Sequence, residues 1–166
     1  MIENYSTQQK EQNVFYSGTP LQAAITSFRP DLALTLLKHG SIPTQCFYDF
    51  IESIYYKMDT DSIYRCAELM LIRGAKPNEF SKNKILYFGE TALDILLFRS
   101  TKKVDQFNPE GLIDCYKRLI TLLNSYNARI GNGIVSSSLP LGDGKYEVTF
   151  KRSVTDSYTK VMECLK

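Results

Sequence analysis

The chain has no tryptophan, a single histidine at position 39, and few glycines and prolines, nine and six in 166 residues. One histidine cannot by itself furnish a zinc site or a His-based nucleophilic pair, and no H-E-x-x-H, G-x-S-x-G or P-loop pattern is present. His39 reads as an exposed residue at a helix end, where a cation complements the dipole. The four cysteines, Cys46, Cys66, Cys115 and Cys164, are far apart and form no Cys-x-x-Cys pair, so they suggest reduced thiols in a cytoplasmic setting and no disulfide framework. Apolar runs are too short to span a bilayer, and the segment from Met1 to Asn13 is polar and unlike the apolar core of a secretory signal.

Charge of one sign is also lacking. Lysine and arginine number 20 against 18 acids, and the adjacent basic pairs, Lys102-Lys103, Lys117-Arg118 and Lys151-Arg152, are dispersed along the chain. Phosphate-backbone binding needs a clustered basic face, so nucleic acid is not an expected partner. Asp59 and Asp61 read as turn and cap residues. Gly131-Asn132-Gly133 and Gly142-Asp143-Gly144 lack the strand-then-helix setting of phosphate loops and read as turns. The expectation is a protein without catalytic residues, metal or cofactor.

Hydrophobic residues make up 43% of the chain, enough for one domain with a sizeable core. Their spacing is helical through most of it. Pro20–Ser27 and Asp31–His39 form one predicted pair; Cys46–Lys57 and Asp61–Arg73 form a second, with Phe47, Phe50, Ile51 and Ile54 on one stripe. Thr91–Arg99 and Pro109–Ser125 form a third, the latter started by Asn108 and carrying Leu112, Tyr116, Leu119 and Leu123 on one face. Each pair alone leaves its stripe in water, so the pairs must stack.

Gly18-Thr19-Pro20-Leu21-Gln22-Ala23-Ala24, with Leu36-Leu37-Lys38-His39-Gly40 downstream, resembles a complete unit of the ankyrin repeat family. Thr19 suits a helix cap, Pro20 the first helical position, and Gly40 a left-handed helix stop. Leu69-Met70-Leu71-Ile72-Arg73-Gly74-Ala75-Lys76-Pro77-Asn78 resembles the end of a second unit, with Gly74 34 residues after Gly40, against a family period of roughly 33. Gly89-Glu90-Thr91-Ala92-Leu93-Asp94 and Leu122-Leu123 with Asn127-Ala128 resemble a third, Asn127 standing for the terminal glycine. The resemblance implies a mainly α fold: an ankyrin-type helical-hairpin solenoid of about three repeats (17–43, 44–78 and 89–128) with an atypical C-terminal cap. Residues 1–129 would form the repeat domain and 130–166 the cap, within the same globule.

The pattern is irregular. Ser41 to Gln45 is too short for the β-hairpin finger that joins ankyrin repeats, 76–89 is enlarged, and Ser100–Asn108 is inserted in the third unit. In the tail, Lys145–Lys151 alternates at period two after a Gly142-Asp143-Gly144 turn, predicting a hairpin with Ile134-Val135 as partner. Val154, Tyr158, Val161, Met162 and Leu165 recur at helical spacing, predicting a final helix that caps the exposed apolar end.

The resemblance implies recognition of a partner protein by a monomeric adaptor or inhibitor, through the exposed side of the first helices and the fingers. Carried onto this chain, the partner-binding residues are Gln22 and Thr26; Asp94, Phe98 and Arg99; and, from the residues that the second unit's stripe leaves over, Tyr48, Glu52, Tyr55 and Tyr56. The enlarged finger adds Glu79, Phe80, Lys82, Tyr87 and Phe88, with the three aromatics as the expected hot spot. Small irregular ankyrin proteins also resemble effectors that intracellular bacteria deliver into host cells, which implies a host target. An alternative expectation is a scaffold whose tail, 130–166, carries a separate activity or an oligomerisation function.

Overall fold

A computed structural model describes residues 18–80, 90–131, 135–151 and 157–163. The chain is mainly helical, with α1 Pro20–Thr26, α2 Pro30–Lys38, α3 Phe47–Ser53, α4 Thr60–Ile72, α5 Ala92–Ser100 and α6 Glu110–Ser125. Strands β1 Val135–Gly142, β2 Lys145–Lys151 and β3 Ser157–Glu163 follow.

The helix boundaries come from local chemistry. At α1, the Thr19 hydroxyl accepts from the Gln22 amide at 3.2 Å while the Gln22 side chain accepts from the Thr19 amide at 3.0 Å, a reciprocal capping box with Pro20 at the first position. Asp59 caps α4 by accepting from the Ser62 amide at 2.8 Å. Pro109, not Asn108, occupies the cap of α6, because Asp105 draws the Phe107 and Asn108 amides, each at 2.8 Å, into a turn of its own.

The second helix of every pair ends in the same way. After α2, α4 and α6, Gly40, Gly74 and Asn127 take φ of +99°, +90° and +57°. The next amide then returns to a carbonyl inside the helix: Ser41 to Leu36 at 3.0 Å, Ala75 to Met70 at 2.9 Å, Ala128 to Leu123 at 3.0 Å. This left-handed stop satisfies carbonyls that the helix end would leave bare.

The three pairs stack in two layers: α1, α3 and α5 neighbour one another in sequence order, and α2, α4 and α6 do the same. Fully buried Leu21, Phe47, Phe50, Leu37, Ile63, Met70, Leu96 and Leu119 fill the space between them. Each such side chain contributes about 1.5–3 kcal/mol relative to exposure. Ala33 and Ala67, both at 0% exposure, give the second layer the close approach that larger residues would prevent. Asn78 ties successive pairs together, accepting from the Arg129 amide at 2.6 Å and donating to the Asn127 carbonyl at 3.3 Å.

The first connection, 41–46, forms no strand, as its brevity predicts. At the second, Phe80 and Thr91 form an antiparallel bridge that closes the base of the enlarged segment. Residues 81–89, including Lys82, Tyr87 and Phe88, lie outside the described residues.

The tail departs from expectation at its end. β1 and β2 form the predicted hairpin through Val135↔Phe150 to Gly142↔Lys145, with a two-residue Asp143-Gly144 turn whose φ values of +49° and +74° match the right-handed strand twist. Ile134 lies outside the described residues. The predicted helix is instead β3, paired antiparallel to β2 from Lys145↔Glu163 to Lys151↔Ser157. Tyr158, Thr159 and Val161 favour strand, and β2 has a second ladder of amides and carbonyls that a helix could not satisfy. The sheet order is β1-β2-β3, and β1 lies against α5.

Candidate functional site

The face expected to bind a partner is partly consumed by the fold. Tyr48 is buried, and its hydroxyl donates to Glu90 Oε2 at 3.0 Å. Asp94 has 0% exposure: one carboxylate oxygen accepts from the Thr91 amide at 2.8 Å, the Thr91 hydroxyl at 3.1 Å and the Gly131 amide at 2.8 Å. Both expectations of a docking role are therefore corrected. Transfer from the repeat pattern assumes a first helix with one open side, but Ala92 through Leu97 of α5 are all buried, with α3 and α6 packed against the helix and β1 in contact with it. Gln22 is half-buried in its capping box, and the exposed Thr26 turns its hydroxyl back to the Gln22 carbonyl at 3.0 Å.

Arg99 is likewise held inward. Its Nη1 donates to the carbonyls of Ile51 and Ile54, each at 3.1 Å, and Nη2 to that of Glu52 at 2.8 Å. These are the carbonyls at the end of α3, which stops at Ser53 rather than reaching Lys57 because Ile54 turns to extended backbone and is buried. The guanidinium replaces the missing helical donors.

Beside this contact the structure opens into a groove of about 370 Å³. Tyr55, Tyr56, Phe107, Phe98 and Ile95 line it, together with Glu52 and Glu90. Glu52, Tyr55, Tyr56, Phe98 and Arg99 were all expected at a docking surface, and all five line the groove. Phe28 and Phe107 were missed.

All the exposed rings here come from the turn inside a helix pair: Phe28 between α1 and α2, Tyr55 and Tyr56 between α3 and α4, Phe107 between α5 and α6. They meet edge to face in one row, with centroids 5.4 Å apart for Phe28–Tyr55, 5.8 Å for Tyr55–Tyr56 and 5.4 Å for Tyr56–Phe107. Phe28 and Phe107 remain 51% and 55% exposed, so the row is a surface and not a core. Phe28 sits at φ +56°, a left-handed conformation that a bulky residue adopts at a cost of about 1 kcal/mol. The sequence signal was an aromatic at the same place in each pair, beside Arg29-Pro30, Lys57 and Asn108-Pro109.

Burial, reinforced by neighbouring Asp49, raises the Glu52 carboxyl above its ordinary value, and Arg99 opposes that shift. Burial also raises Glu90; the Tyr48 hydrogen bond acts the other way, and Asp94 and Glu52 add like charge. Lys102 places its ammonium 3.9 Å from the centre of the Phe98 ring. Cys66 is pushed up to about 12 and Cys115 to about 11, chiefly by burial, so neither is a ready thiolate near neutral pH.

At the finger base, Glu79 is half-buried and Phe80 is 59% exposed, lining a smaller cavity of about 260 Å³ with Gln45, Tyr48 and Asp49. Among the described residues no group of histidine, cysteine, aspartate and glutamate is placed to hold a metal ion, and no helix is long and apolar enough to cross a membrane. No family model, curated protein or solved structure matches the chain.

Proposed function

We propose that the chain is a non-enzymatic interaction module of ankyrin type that anchors a partner protein in the groove along its intra-pair turns. The observation that carries this reading is the exposed row from Phe28 to Phe107, beside a groove. Rigid aromatics offer large contact area at low rotamer cost, and the left-handed stop of α1, closed by the Arg29 amide on the Ala24 carbonyl at 3.0 Å, needs no ring at Phe28. The ankyrin part rests on the two-layer stacking of helix pairs and on the left-handed stops at Gly40, Gly74 and Asn127. Phe80 at the finger base supplies a second, smaller anchor.

The test is affinity capture from cell lysate with the full chain, comparing wild type with Tyr56→Ala/Phe107→Ala and with Phe80→Ala, followed by titration of the purified partner. The groove variant should weaken binding by at least about a hundredfold, or about 2.7 kcal/mol, and Phe80→Ala by less. Unchanged affinity in a folded groove variant rejects the reading.

A further inference from the structure

We infer that the partner enters this groove with a basic side chain, an arginine fitting best, seated between the Glu52 carboxylate and the faces of the turn aromatics. The inference rests on the docking reading above and adds the chemistry of the occupant. Glu52 is half-buried on the groove lining, and among the described residues its carboxylate accepts no hydrogen bond and joins no ion pair. Glu90, at 2% exposure, reaches the same lining and adds a second carboxyl group, partnered by the Tyr48 hydroxyl.

Arg99 acts on both carboxyls only through space, and neither groove cation forms a direct ion pair with Glu52. Arg99 directs its Nη atoms to the carbonyls of Ile51, Glu52 and Ile54, and Lys102 lies over Phe98. Lys102 on Phe98, and Lys57 at 5.6 Å from the Tyr56 centroid, show that rings in this region already attract cations. A planar guanidinium can stack on an aromatic face and donate in its own plane to a carboxylate at once, which neither an apolar nor an acidic side chain can do. Burial and like-charge neighbours hold Glu52 and Glu90 above their ordinary values, and an incoming cation relieves that.

Random peptides displayed on phage and selected on the full chain provide the probe. Selected sequences should be enriched in arginine, and a synthetic selected peptide should lose about tenfold or more in affinity when that arginine becomes citrulline, its neutral isostere. Glu52→Gln should remove most of the arginine–citrulline difference, with thermal unfolding confirming that the variant stays folded. Peptides that depend on Tyr56 and Phe107 but tolerate citrulline, or bind Glu52→Gln as tightly as wild type, overturn this inference and leave the docking reading intact. A selection that yields no peptide sensitive to Tyr56→Ala/Phe107→Ala counts against both.

Discussion

Two polar and aromatic clusters lie a few residues apart along the first helices and meet opposite fates. Around Thr91, Asp94 and Gly131, and between Tyr48 and Glu90, hydrogen-bonding groups are buried and tied to one another. Along the turns, Phe28, Tyr55, Tyr56 and Phe107 touch each other and remain open to solvent. The first cluster joins the third helix pair to the second and to the chain that follows it, and the second cluster lies across the three intra-pair turns. Position along a helix does not decide which side chains stay exposed; what packs against that face does.

The largest expected effect is on the buried cluster. Asp94→Ala leaves the Thr91 and Gly131 amides without their acceptor in a closed site, and chemical denaturation should show a loss of about 3 kcal/mol. Arg99→Ala strips the end of α3 of its donors and should cost about 2 kcal/mol, read as a lower melting temperature.

A pH series sharpens the same comparison. Glu90 and Glu52 have raised values in the folded state, so that state binds more protons than the unfolded chain. Their contribution to stability is therefore greatest at the acidic side and declines as pH rises from about 4.3 through the raised values. The lowered values of Asp31, Asp59 and Asp105 act below the ordinary aspartate range of about 3.9, outside this window. The melting temperature should fall as pH rises above the ordinary glutamate value of about 4.3, and Glu90→Gln should flatten that slope. Tyr48, Asp94, Glu52 and Arg99 face Glu90 and are unchanged in that variant.

The smallest stability effect belongs to the exposed row. Phe28→Gly removes a ring but relieves left-handed backbone, so stability should stay within about 0.5 kcal/mol of wild type while partner binding drops at least about tenfold. A marked destabilisation would show that the row supports the fold and would erase the distinction drawn here.

Legibility in the sequence followed the same line. The six helices, the stops at Gly40, Gly74 and Asn127, the Thr19 cap and the Asp143-Gly144 hairpin turn could be read because each depends on neighbours within a few residues. Glu52, Tyr55, Tyr56, Phe98 and Arg99 were reached, though without the groove that unites them. Tyr48 and Asp94 were misplaced because their burial depends on contacts across the stack, made by Glu90 and by the chain at Gly131. The end of the tail was misread because Tyr158, Val161 and Met162 satisfy a helical spacing while their segment also suits a strand; the open edge of β2 selected the strand.

Taken alone, the order of residues set where each helix starts and stops, since caps, left-handed turns and periodic stripes act over a single turn of backbone. Tertiary structure decided which side chains those helices hide, whether the last segment pairs or coils, and that rings distant in sequence become neighbours. Burial, strand pairing and grooves exist only once separate segments share a surface, and no local pattern encodes the distance between them.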